Sequence, residues 1–230
     1  MGLDPGTFRL DDRVVVVTGA AAGIGRGIAL GFARLGADLA LCDRDAAGLG
    51  AAADEVRALG RDAVDATLDV RDGEALRSFF ATVADRWGHV DVLVNNAGGG
   101  FHAAFLDLGP GGQDALVREN FTSAADAIRL AVPLMDHGGA IVNITSIEAH
   151  RAGPGYAVYA AMKAALANLT KSLALGFGPR GIRVNCVAPD LVLDPRGRRH
   201  AGDRAACLST AGWRMSWAQP PSWPRTWRAS

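Results

Sequence analysis

The chain has 230 residues, 49% of them hydrophobic, with 24 Lys and Arg set against 24 Asp and Glu. The length and apolar share suit one α/β domain with a sizeable core, and the balanced charge excludes a global field for nucleic acid or an anionic membrane surface. Cys42, Cys186 and Cys207 are scattered without metal-ligand spacing, so reduced thiols and no metal site are expected. The N-terminus lacks a basic region ahead of an apolar core, and charges interrupt every apolar run before it could span a bilayer. A cytoplasmic protein is the expectation.

After a lead-in over 1–12, Val14-Val-Val-Val17 is apolar at every position, as a strand covered on both faces requires. Thr18-Gly19-Ala-Ala-Ala-Gly23-Ile24-Gly25 follows at once and opens the helical pattern Ile28, Leu30, Phe32, Leu35, which stops at Gly36. Strand, glycine turn and helix N-terminus together make an anion site, because the glycines let the backbone approach a pyrophosphate and the free N–H groups face it. The second strand, Asp38 to Cys42, ends at Asp43. An acidic group there accepts hydrogen bonds from both adenosine ribose hydroxyls and repels a 2′-phosphate. Three alanines before Gly23 leave that phosphate no basic partner in the turn. This favours NAD over NADP, although Arg44 could serve a 2′-phosphate.

An alanine-rich helix over 46–60 precedes a third strand over 62–70, which ends in Leu68-Asp69-Val70. Asp69 could meet an adenine amino group or cap the helix that runs from Asp72 to Trp87. A fourth strand, Val90 to Val94, runs into Asn95-Asn96-Ala97-Gly98-Gly99-Gly100, where small residues admit a ligand and two amides can bond to it. A long helix is expected from about Gln113 to Met135, with Asn120 as a polar interruption. The fifth strand, Ala140 to Ile144, delivers Thr145 and Ser146 to the same sheet edge. A helix over 156–177 presents Tyr159 and Lys163 near its start, and a sixth strand, Ile182 to Val187, ends at Ala188-Pro189. Such sheets bind ligands at the carboxyl ends of their strands.

Tyr159 and Lys163 stand four residues apart on one helix face. A phenol titrating near 10 is a poor acid–base group at neutral pH, and a close ammonium lowers that value. A shift of about three units needs about 4 kcal/mol, which only a partly buried pair supplies. Ser146 could hold a substrate oxygen against the phenol. Gly99, Gly100, Phe101, His102, Glu148, His150 and Tyr156 are the candidate pocket lining.

Taken together, these motifs resemble the short-chain dehydrogenase/reductase family over about residues 10–190. Thr18-Gly19-x-x-x-Gly23-Ile24-Gly25 is similar to its cofactor turn, and Asn95-Asn96-Ala97-Gly98 to its second nucleotide-side motif. Ser146, Tyr159 and Lys163 match the catalytic serine, tyrosine and lysine in order and spacing. Asn120 falls where the family places an asparagine that supports the proton relay. Arg183-Val-Asn185-Cys-Val187-Ala-Pro189 resembles the strand beside the nicotinamide.

The resemblance implies a single-domain doubly wound parallel sheet (Rossmann fold) and an NAD-dependent oxidoreductase of secondary alcohols or ketones. Tyr159 is then the acid/base. Lys163 lowers its pKa and holds the ribose, and Ser146 orients the substrate oxygen. The implied cofactor contacts are Gly19, Gly23, Ile24, Gly25, Asp43, Asp69, Val70, Asn96, Ala97, Gly98, Tyr159, Lys163 and Pro189. Partners are a small-molecule substrate and, if the long helices pair, further copies in a dimer or tetramer. A catalytically impaired dinucleotide binder and a non-enzymatic NAD-sensing or interaction module stay open as alternatives.

The pattern departs after Pro189. Asp190 and Asp194 stand where the family carries a glycine and a threonine, and residues 191–230 read as an irregular tail without the family's seventh strand. Four of the five tryptophans fall in the last 18 residues, and no Asp or Glu follows Asp203. A shifted reading frame accounts for this tail: codons chosen for Ser222 to Ser230 spell Leu-Ala-Ser-Asp-Leu-Ala-Ser when read in another frame. A genuine extension whose tryptophans bind a partner is the rival.

Overall fold

The computed structural model describes residues 9–190 and Val192. The lead-in before residue 9 and, Val192 apart, the expected irregular tail lie outside the described residues.

Six strands form one sheet: β1 (Val14–Thr18), β2 (Asp38–Asp43), β3 (Ala63–Thr67), β4 (Val92–Asn95), β5 (Gly139–Ile144) and β6 (Ile182–Val187). Their order is β3-β2-β1-β4-β5-β6, and every pairing is parallel. The order reverses between β1 and β4, which opens a crevice at their carboxyl ends. Val14 to Val17 are at most 1% exposed. Alternation sends Val14 and Val16 into one cluster with Leu76, Phe79, Phe80, Ile128 and Ile141, and Val15 and Val17 into another with Ala29, Leu49 and Val56. The doubly wound sandwich thus follows from a strand with no polar face. Among the described residues the sheet ends at β6, and the expected lack of a seventh strand concerns residues outside them.

The helices are α1 (Gly23–Arg34), α2 (Ala46–Ala58), α3 (Gly73–Trp87), α4 (Pro110–Val117), α5 (Ser123–Ala131) and α6 (Ala157–Phe177). α1 and α2 cover one face of the sheet, while α3, α5 and the end of α6 cover the other. The helix expected from 113 to 135 differs in two ways. It starts at Pro110, whose missing N–H costs nothing in a first turn. It is also broken by a π-type turn over Arg118–Thr122. The cause is Asn120: its Nδ2 donates to the Leu116 carbonyl at 3.0 Å, the acceptor that an α-helix reserves for the Asn120 backbone N–H. The ladder resumes with Ser123 N–H on the Arg118 carbonyl, five residues back. Such single-turn widenings are frequent at functional sites.

Candidate active site

The glycine turn is fixed from both sides. Gly19 has φ +68°, and a Cβ there would lie 2.9 Å from Ala97 Cα, so only glycine fits. A Cβ on Gly25 would come within 2.0 Å of the Gly19 carbonyl oxygen. Thr18, which the sequence reading passed over, joins this turn to the one after β4. Its Oγ1 accepts from Asn96 N at 3.1 Å and Ala97 N at 3.0 Å. Asn96 Nδ2 returns bonds to the Thr18 and Gly19 carbonyls at 3.0 and 2.9 Å. Ala22 opens α1 without a side-chain cap, and no acidic residue follows in the first turn, so nothing on the chain competes for an anion there.

Asp43 ends β2 with its carboxylate aimed by the backbone: Oδ2 accepts from Ala21 N and Oδ1 from Asp45 N, each at 3.0 Å. Each oxygen keeps lone pairs for further donors. Asp69 does not cap α3. The cap of α3 is Asp72, which accepts from Glu74 N and Ala75 N. Asp69 instead binds Arg71 through its guanidinium and its backbone N–H, which holds the carboxyl below its ordinary range.

The two amides at the end of β4 also differ from expectation, since the donor side of each is taken by the protein itself. Asn95 is 3% exposed and donates to Asn143 Oδ1 at 2.9 Å, and Asn143 donates to Thr170 Oγ1 at 2.9 Å. This buried chain ties β4, β5 and α6 together. A lone asparagine inside the otherwise apolar strand β5 was its signal in the sequence.

The candidate reacting groups converge at the ends of β5 and β6 and the start of α6. Ser146 is 8% exposed and accepts from Glu148 N at 3.2 Å, opening a short 3₁₀ turn over Ile147–Ala149. Thr145 N bonds the Val187 carbonyl at 2.8 Å and Ile147 N the Pro189 carbonyl at 3.0 Å, which sets Pro189 beside Ser146. Tyr159 hydrogen-bonds Ser146. Lys163 is 3% exposed, donates to the Ile144 carbonyl at 3.0 Å and lies 5.7 Å from the Tyr159 ring centroid. Burial lowers its pKa to about 8, with Glu119 opposing.

Here the electrostatics differ from the simple expectation. The Tyr159 phenol is pushed up by its own burial, then by Glu148 and Tyr156, while the bond to Ser146 pulls it down. Lys163 points its Nζ at the Ile144 carbonyl, and its charge does not overcome that desolvation.

Asn120 is 1% exposed; Nδ2 donates to the Gly99 and Leu116 carbonyls, and Oδ1 accepts from Gly99 N. Oδ1 keeps one lone pair, and both it and Lys163 Nζ lie 2.9 Å from where a Cβ on Gly98 would sit. Gly98 is thus the point where the backbone passes against both groups. A Cβ on Gly100 would lie 3.0 Å from the Tyr159 ring. His102 stacks edge-on against Tyr156, and Phe101 lines an apolar cleft with it, whereas His150 is exposed at the far end of its turn. Cys42 is fully buried, which pushes its thiol up to about 12 and removes it as a nucleophile. No three His, Cys, Asp or Glu among the described residues group as metal ligands, and no described helix is long and apolar enough to cross a membrane.

A family model described as enoyl-(acyl carrier protein) reductase matches residues 19–211. An uncharacterised oxidoreductase of Mycobacterium tuberculosis is 38% identical over 189 residues, covering 81% of this chain and 72% of that protein. Among solved structures, a 7α-hydroxysteroid dehydrogenase complexed with NADH and 7-oxo glycochenodeoxycholic acid is 34% identical. It superposes with a TM-score of 0.78 over 82% of this chain and 74% of its own. Carveol dehydrogenase from Mycobacterium avium in complex with NAD is 31% identical, with a TM-score of 0.76 over 79% of this chain and 71% of its own.

Proposed function

The chain belongs to the short-chain dehydrogenase/reductase family and is a nicotinamide-dependent oxidoreductase, and from that premise we propose that it interconverts a secondary alcohol and a ketone with NAD as the preferred cofactor. The observation that carries this reading is the convergence of Ser146, Tyr159 and buried Lys163 on the sheet edge that also holds the two glycine-bearing turns.

Gly19, Gly23 and Gly25, with the uncapped start of α1, fit a pyrophosphate. Asp43 fits the two ribose hydroxyls and opposes a 2′-phosphate. Ile24, Val70, Ala97, Gly98 and Pro189 would complete the cofactor contacts, and Asp69 would reach the adenine only from its pair with Arg71. The bound nicotinamide supplies the two-electron acceptor for the hydride that leaves the carbinol carbon.

Ser146 donates its hydroxyl to the substrate oxygen and holds it against Tyr159. Tyr159 removes the hydroxyl proton as the carbonyl forms, and returns it in the reverse direction. Lys163, with a value of about 8, is mostly protonated at neutral pH. It is the cation available to offset the burial of a phenolate, and it holds the nicotinamide ribose. Asn120 Oδ1 would seat a water beside Lys163 through its remaining lone pair. Self-association through the long helices fits Leu175 on α6, which is 84% exposed.

A panel of secondary alcohols and ketones, run with NAD and with NADP, tests the reading against Tyr159→Phe. Turnover should fall by about 10²–10⁴-fold in that variant, with NADH binding kept. Wild-type turnover that survives the substitution within threefold would sink the assignment.

A further inference from the structure

One buried polar group in the site has no use in the chemistry above: the hydroxyl of Tyr156. Tyr156 forms the N-cap of α6, one turn before Tyr159 on the same face. The two rings meet edge-on at 6.3 Å between centroids. On its other side Tyr156 meets His102 at 5.6 Å, also edge-on. His102 is held in turn against Gly155, which has φ +78° and where a Cβ would come 2.2 Å from Nε2. Ala103 N on the Gly155 carbonyl at 2.9 Å closes that clamp.

The ring is thus packed edge-on against both aromatic neighbours. Its hydroxyl oxygen is buried and has no hydrogen-bond partner among the described residues. The cleft beside the ring is lined by Phe101, Phe105, Leu116 and Val158, none of which offers a polar side chain. Buried hydroxyls nearly always find a partner, and a phenylalanine would fill the same space without an unpaired group. Tyr159 feels Tyr156 directly, together with Glu148 from the turn after β5 and Ser146. Glu119 acts on Lys163 behind it. The ring that carries the orphan hydroxyl thus packs edge-on beside the Tyr159 ring, one helical turn before it.

We propose that Tyr156 is a specificity-determining residue that hydrogen-bonds a second oxygen of the substrate, carried one or two carbons from the reacting carbinol. The preferred substrates are then 1,2- or 1,3-diols and the matching hydroxyketones rather than monofunctional alcohols. This rests on Tyr159 as the acid/base. A monofunctional alcohol leaves the Tyr156 hydroxyl unpaired in the complex, whereas a diol satisfies it, and that difference is what the site discriminates.

The test compares cyclohexanol with 1,2- and 1,3-cyclohexanediol in the full chain, as wild type and Tyr156→Phe. Wild type should favour one of the diols by about tenfold in kcat/KM, and Tyr156→Phe should bring that ratio near one. The Tm should be unchanged or higher because an unpaired hydroxyl is gone. An equal ratio in the two proteins, or a wild-type preference for cyclohexanol, overturns the proposal.

If neither protein turns over any of the three compounds, a thermal-shift titration of the NADH-bound chain with the diols decides. A shift in wild type that is lost in Tyr156→Phe supports the second-oxygen contact while the hydride-transfer reading fails. Equal shifts, or none in either protein, overturn the contact. Full turnover in Tyr159→Phe with discrimination still lost in Tyr156→Phe would sink the acid–base assignment alone.

Discussion

The two ends of the sheet are built to different standards. On the nucleotide side, β1 and β2 are buried on both faces: Leu39 to Cys42 are 0% exposed, Leu39 and Leu41 under α1 and α2, Ala40 and Cys42 on the opposite face. At the other end, β6 alternates: Ile182 and Val184 are buried against α6, while Arg183, Asn185 and Val187 are exposed. Val187 is 53% exposed, and among the described residues nothing covers that face. The glycine-bearing turns there are therefore self-supporting, with Thr18, Asn96 and Asp43 each tying one turn to another. The candidate reacting side chains are anchored too, by Lys163 on Ile144 and by the Asn95–Asn143–Thr170 chain. What differs is the substrate's cover. Substitutions on the nucleotide side should act on binding through backbone geometry, and those at β6 should act on association.

The largest effect is expected at the glycine turn. Gly19→Val adds a Cβ 2.9 Å from Ala97 Cα at a φ of +68°, which a β-branched residue does not adopt. The two turns must separate, and NADH affinity should fall by more than about 100-fold, roughly 3 kcal/mol. Fluorescence titration reads this, with far-UV circular dichroism confirming the fold. Affinity within tenfold of wild type would mean that the turn does not hold the dinucleotide.

Next in size is the cost of burying Lys163. Its folded value of about 8 lies below the ordinary 10.5, so between those pH values the unfolded chain binds a proton that the folded chain does not. Stability therefore rises with pH across that window, by about 3 kcal/mol in all. Tyr159 works the other way above pH 10, where the folded chain keeps the proton that the unfolded chain loses. Lys163→Met should abolish the rise between pH 8 and 10, and the variant should be more stable than wild type at pH 7 and inactive. Urea unfolding of both proteins across that range checks it, and parallel pH profiles would refute the burial cost.

These two effects also divide what was legible in the sequence. The strand–turn–helix at Gly19, the six parallel strands and the meeting of Ser146 with Tyr159 followed from local patterns, because apolar runs and glycine spacing are short-range properties. Three features did not follow. The π-type turn arises because the Asn120 side chain takes the Leu116 carbonyl and pairs with Gly99, 21 residues before it in the chain. The Asn95 and Asn96 Nδ2 groups are taken by partners that only the closed sheet brings near. The upward push on Tyr159 needs its burial, and spacing to Lys163 alone suggested the opposite sign. In each case a long-range partner or a desolvation decided the outcome.

A smaller effect is expected at Asp43. Asp43→Asn keeps an acceptor for Ala21 N but removes the charge that opposes a 2′-phosphate. The preference for NAD over NADP should fall by about tenfold in kcat/KM, most of it through KM for NADP. An unchanged preference would place cofactor choice with Arg44 or Arg71 instead.

The smallest effect on stability, and the one that probes the other end, belongs to Val187→Lys. Val187 is half exposed at the end of an edge strand, and Leu175 on α6 is exposed as well. Edge strands with exposed apolar residues pair readily with other chains, and a lysine blocks that approach. Because the position is already in water, the substitution should change the unfolding free energy by less than about 0.5 kcal/mol. NADH affinity should fall far less than in Gly19→Val, since the glycine turn lies at the end of β1, with β4 and β5 between it and β6. Self-association measured by light scattering should nonetheless fall. If it does not, copies meet elsewhere, and the exposed helix face around Leu175 becomes the contact to test with Leu175→Lys. If NADH affinity falls as far as in Gly19→Val, the two ends are coupled through β5 and the Thr145–Val187 bond, and the division between them breaks down.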